Sequence, residues 1–105
     1  MNQKKCVYRF RSLDLAVEFC QMVKRLKLPI HLRDQMLRAS SSVALNLAEG
    51  SGKPSPKDKR RFYSIALGSL RECQAILQIE EIDDLELLDL ADHPGASIYK
   101  LTFAT

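Results

Sequence analysis

No run of apolar residues in this chain of 105 approaches the roughly 18 needed to cross a membrane. Met1-Asn2-Gln3-Lys4-Lys5-Cys6 is polar and basic, and no apolar signal core follows it. The expectation is a cytosolic protein with no membrane partner. Cysteine is scarce: Cys6, Cys20 and Cys73 are odd in number and far apart. Cys20 and Cys73 fall on apolar helix faces, so they read as small buried hydrophobes rather than redox groups. Histidine is scarcer still. Asp34 lies three residues after His31, and Asp89 lies four before His93. Neither pair amounts to a metal-ligand set, and no metal is expected. No histidine is placed to face a serine or cysteine nucleophile, so acyl transfer has no support. Strand-like alternation is absent, and no window repeats internally.

The chain has enough apolar sequence for one globular domain. It is 46% hydrophobic and 28% charged, and its length supports one modest core that oligomerisation could assist. Acidic residues are sparse in the first part. Residues 1–61 hold 14 Lys and Arg against 5 Asp and Glu, while residues 62–105 hold 2 against 8. Such a split can neutralise itself within a bundle or between subunits, or leave a basic surface for nucleic acid.

Helical spacing organises the chain. Residues 1–11 read as a lead-in strand or coil. Ser12 is a plausible N-cap, and the first helix covers about 12–27. Leu15, Ala16, Phe19, Cys20, Val23 and Leu26 form its stripe, Lys24, Arg25 and Lys27 its last turn, and Pro29 its end. A second helix over about 31–49 buries Leu32, Met36, Ser40, Val43 and Leu47, with Gly50 as the expected C-cap. Ser40-Ser41-Ser42 is a poor helix former, tolerable if its small side chains let another backbone approach. Ser55-Pro56-Lys57-Asp58 starts a third helix of about 56–81, with serine as N-cap and proline in the first turn. Phe62, Ile65, Ala66, Ser69, Cys73, Ile76 and Leu77 make its inward stripe. Gly68-Ser69 places small residues in its middle, where a neighbour can pack closely. Asp83 or Asp84 caps a fourth helix over about 84–103. His93-Pro94-Gly95 predicts a kink or break in it. Four helices with short connections predict an all-α, antiparallel, up-down-up-down bundle.

Candidate chemistry is sparse. Gly50-Ser51-Gly52-Lys53 invites a phosphate-loop reading. It lacks a glycine at Leu47, has Pro54 where Ser or Thr should follow the lysine, and sits after a helix rather than a strand. No catalytic residues and no cofactor are expected. The acids Glu80, Glu81, Asp83, Asp84 and Glu86 read as a solvated helix connection. Asn46 and Glu49 share a helix face with Ser42 and can meet Ser69 and Glu72, forming a polar network that fixes register. The basic set is Lys53, Lys57, Lys59, Arg60 and Arg61, joined by Arg33, Arg38, Lys24, Arg25 and Lys27. These side chains can contact phosphates without reading bases. Tyr63 could stack on a base, although an aromatic at helical spacing more often belongs to a core.

The stretch Arg38 to Lys53, with Phe62 to Glu72, resembles the four helix bundle protein family, also called the 23S rRNA intervening-sequence protein family. Residues 8–82 carry the likeness. Matching positions are Arg38, Ser42, Asn46, Glu49, Gly50, Gly68, Ser69 and Glu72. The resemblance implies a non-enzymatic four-helix protomer and a homo-oligomer, specifically a homopentamer. Through the retroelement accessory proteins similar to it, it also implies RNA or DNA binding and a reverse transcriptase or other protein partner. The alternative function is a structural homo-oligomer or protein–protein adaptor without nucleic acid. The chain departs from the family pattern at His93-Pro94-Gly95, where members keep a continuous last helix.

Overall fold

The computed structural model describes residues 10–103. The expected lead-in therefore lies almost wholly outside the described residues. Four helices follow in order: α1 (Arg11–Val23), α2 (Ile30–Ser51), α3 (Pro56–Ile79) and α4 (Leu85–Phe103). Successive helices pack against each other, α4 closes onto α1, and no Cα atoms of a diagonal pair come within 8 Å. Cross-links run between opposite ends of helices that are neighbours in the ring. Gln35 near the start of α2 bonds Glu72 towards the end of α3, and Ser12 at the start of α1 meets Ser97 late in α4. These pairings define an antiparallel up-down-up-down bundle.

One core runs through all four helices. Ala16, Phe19 and Val23 meet Met36, Val43, Leu47, Ala66, Leu70, Cys73, Leu77, Leu87 and Ile98, all 2% exposed or less. The α1 and α2 stripes are those that helical spacing predicts, with Leu15, Cys20, Leu26 and Leu32 only half-buried. The α3 stripe is rotated. Tyr63 and Leu70 are buried, while Phe62 and Ser69 are half-buried and Ile65 is exposed. Among the described residues, no helix is long and apolar enough to cross a membrane.

Several local expectations give way to tertiary packing. Ser12 is not the N-cap of α1. Phe10 holds that position, and the Ser12 hydroxyl turns inward to Ser97. Helix α1 ends at Val23 rather than Lys27, so Lys24, Arg25 and Lys27 lie beyond its last turn. The backbone tightens there through Arg25 N–H to the Met22 carbonyl and Leu26 N–H to that of Val23, both 3.0 Å. Pro29 disfavours helix at Leu28, and Leu26 and Leu28 fold back onto the core.

Gly50 is not the C-cap of α2. The helix runs through it to Ser51, Gly52 caps it, and no glycine has positive φ. The start of α3 is as predicted: Ser55 Oγ accepts the Asp58 N–H at 3.1 Å and Pro56 occupies the first turn. Its end is Ile79, not Glu81. Glu81 takes φ 53°, its N–H bonds the Gln78 carbonyl, and Ile82 N–H bonds that of Leu77 at 2.9 Å. This is a Schellman closure with glutamate in the left-handed position that glycine usually fills.

Helix α4 opens with Asp84, whose Oδ1 accepts the Leu87 N–H at 3.1 Å. It continues unbroken past His93-Pro94-Gly95. Proline leaves the Leu90 carbonyl without its helical N–H, but Leu90, Ala91, Pro94 and Ile98 are all buried along this segment. Core packing across the proline holds the helix together.

Candidate nucleic-acid interface

The predicted polar network divides. Ser42 Oγ and Ser69 Oγ are 2.9 Å apart, joining α2 to α3. Asn46 Nδ2 donates to Ser42 O at 2.9 Å and to Ser42 Oγ at 3.0 Å. Glu72 stands apart from these three and accepts from Gln35 Nε2 at 2.9 Å. Glu49 turns outward to pair with Lys53 at 3.1 Å. Helical spacing gave Asn46 and Glu49 a shared face, but the roughly 60° of helix rotation between them is enough to place one at the α2–α3 seam and the other in solvent.

The serine run also serves two seams. Ser40 is fully buried, and its hydroxyl donates to the Leu37 carbonyl at 3.2 Å. Ser40 and Ser41 both approach Cys20 Sγ on α1 at 3.7 Å, while Ser42 faces α3. Small hydroxyls thus satisfy one another where larger side chains would part the helices. The Cys73 thiol is pushed up to about 12, first by burial and then by the charge of Glu72 and by Cys20. It stays a neutral core group. Cys20 and Cys73 lie on diagonal helices with no Cα pair within 8 Å, beyond the reach of a disulfide.

Gly50 brings α2 against the start of α3. A Cβ there would stand 2.8 Å from Tyr63 Cε1 and 3.0 Å from Phe62 Cβ. Tyr63 is consequently buried at 6% exposure and is not available to stack on a base. Phe62 is half-buried and takes a different role. Lys53 Nζ lies 5.1 Å and the Arg61 guanidinium 5.5 Å from its ring centre, a cation–π arrangement that gathers both charges. The Lys53 contact was not legible in the sequence, since it requires the end of α2 and the start of α3 to meet near Gly50. Lys59 folds back, donating to the Ser51 carbonyl at 3.0 Å.

The basic residues do not form one surface. Lys53, Lys57, Lys59, Arg60 and Arg61 cluster at the α2–α3 connection. Lys57, Arg60 and Arg61 line a surface cleft of about 390 Å³ with Asp58, Ser64 and Thr102. Arg33 sits near the opposite end of α2, about 30 Å away along the helix, and reaches the Leu26 carbonyl at 3.5 Å. Arg38 is exposed a turn and a half further on and does not join the cluster. Lys24, Arg25 and Lys27 also lie at that far end.

The two ends differ electrostatically. At the far end, four cations over residues 24–33 face five acids over residues 80–86. Arg25 and Asp84 line one cleft there with Met22, Leu26 and Leu87. At the near end, residues 49–61 hold five cations and only two acids, and Glu49 is engaged by Lys53. Antiparallel topology thus folds the acidic last quarter back onto one basic segment and leaves the other uncompensated.

No curated protein and no solved structure matches the chain. The family model described as 23S rRNA-intervening sequence protein matches residues 5–101, nearly its whole length. With the four-helix ring and the Ser42–Asn46–Ser69 and Gly50 contacts at the positions that carried the resemblance, the chain belongs to the 23S rRNA-intervening sequence protein family.

Proposed function

We propose that the chain is a non-enzymatic, oligomeric nucleic-acid- or ribonucleoprotein-associated protein that holds phosphate backbone at the α2–α3 end. The family is not a known enzyme family. The observation that carries the reading is the surplus of cations at one end, where Lys53, Lys57, Lys59, Arg60 and Arg61 outnumber Glu49 and Asp58, while the cations of the other end face acids. Lys57 and Arg60 form no ion pair among the described residues, and with Arg61 they line the cleft at the start of α3. Cations displayed this way attract phosphate without base readout. A reverse transcriptase or other protein partner belongs to the same proposal.

Titration of fluorescent single-stranded RNA at two salt concentrations tests it. With about four phosphates neutralised, affinity should fall roughly 50-fold between 50 and 200 mM salt. Absence of binding at low salt would refute the reading. The rival, a structural homo-oligomer or adaptor, is favoured by an apolar groove between α1 and α2. Val17, Cys20, Ala44 and Leu45 line it, and Leu45 is 68% exposed.

A further inference from the structure

Phe62 gathers two cations, Lys53 from the α2–α3 connection and Arg61 from its own helix. Lys53 Nζ lies 5.1 Å from the ring centre and the Arg61 guanidinium 5.5 Å. The two are not equivalent. Lys53 pairs with Glu49 at 3.1 Å, and an ammonium has no plane on which anything can stack. Arg61 has no carboxylate partner among the described residues. It is exposed, and it lines the cleft at the start of α3. Arg61 thus borders both the half-buried ring and the open cleft.

That cleft is not built for phosphate alone. At about 390 Å³ it is far larger than a phosphate group fills. Lys57 and Arg60 supply charge for a phosphate, but Asp58 lines the same space with a carboxylate, which repels one. Ser64 is exposed beside them, and the Thr102 hydroxyl is spent on the Ile98 carbonyl at 2.8 Å. Lys57, Arg60, Arg61 and Ser64 share one side of α3. The space that the cations leave suits an uncharged, flat group joined to a phosphate, which is what a base is in a nucleotide.

We infer that Arg61, held on the Phe62 ring, is a stacking platform for an unpaired base, and that the nucleic acid taken at this end is single-stranded. The inference rests on the phosphate-binding reading of the α2–α3 end and adds the group that lies between the phosphates. An unpaired base rests on the guanidinium plane, while a neighbouring phosphate meets Lys57 and Arg60. Bases inside a duplex are stacked on one another and offer no free face. Stacking accepts every base, so it selects for strandedness and not for sequence. The ring fixes the guanidinium beforehand, so less side-chain freedom is lost on binding.

The test uses the whole chain and two probes: a short single strand of RNA carrying a fluorescent base analogue whose emission falls on stacking, and an RNA duplex of the same length. Wild-type protein should quench the emission of the single strand. Arg61→Lys keeps the charge but loses the plane. It should remove the quenching and weaken single-strand binding about tenfold, with a several-fold smaller loss on the duplex. Phe62→Leu removes the ring and should follow the same pattern, with circular dichroism confirming that the helical fold is kept. Binding without quenching, or equal losses on both probes with Arg61→Lys, would overturn the inference and leave the phosphate reading standing. Binding of neither probe at low salt would overturn both.

Discussion

Gly50 and Gly68 are the same residue in the same pair of helices, and they are needed for opposite reasons. Gly50 is buried where α2 touches Tyr63 and Phe62, with no room for a Cβ. Gly68 faces open space and costs α3 helix propensity. In urea unfolding, Gly50→Ala should destabilise the fold by about 1–3 kcal/mol through overpacking. Gly68→Ala should stabilise it by about 0.5–1 kcal/mol. Equal effects at the two positions would contradict the packing described. The sequence marks both as small residues in helices, but only the rotation of α3 decides which meets a neighbour. The same rotation explains why Ser42, Asn46 and Ser69 come together while Glu49 and Glu72 find other partners.

At the level of elements, helix number, order and most boundaries were legible because apolar spacing and caps agree. Ser55-Pro56 announces α3 and Asp84 announces α4. The misread ends share a cause: side chains near them are recruited by the core. Leu26 and Leu28 draw the chain off α1 early, Gly50 packs instead of stopping α2, and buried neighbours carry α4 through Pro94. The two ends of α3 offer a direct check. Ser55→Ala removes the acceptor of the Asp58 N–H and should cost about 1 kcal/mol. Glu81→Gly relieves a left-handed residue and should add about 1 kcal/mol. Chemical denaturation of both variants would show the opposed signs, and a neutral or destabilising Glu81→Gly would argue against the Schellman closure.

Over the whole molecule, the decisive property is how topology distributes charge. The sequence shows a basic first part and an acidic last quarter, but linear order does not say which basic segment the acids will meet. The bundle does: the acidic α3–α4 connection lies with the α1–α2 connection, and the α2–α3 end keeps its surplus of cations. Arg33 and Arg38, grouped with that surplus by charge alone, lie along α2 towards the other end. The most direct test compares the ends by charge reversal in low-salt RNA titrations. Lys57→Glu/Arg60→Glu should weaken binding at least tenfold, and Lys24→Glu/Lys27→Glu should leave it within about twofold, since roughly 1.4 kcal/mol separates each factor of ten. Equal losses at both ends, or no loss at the α2–α3 end, would contradict the account.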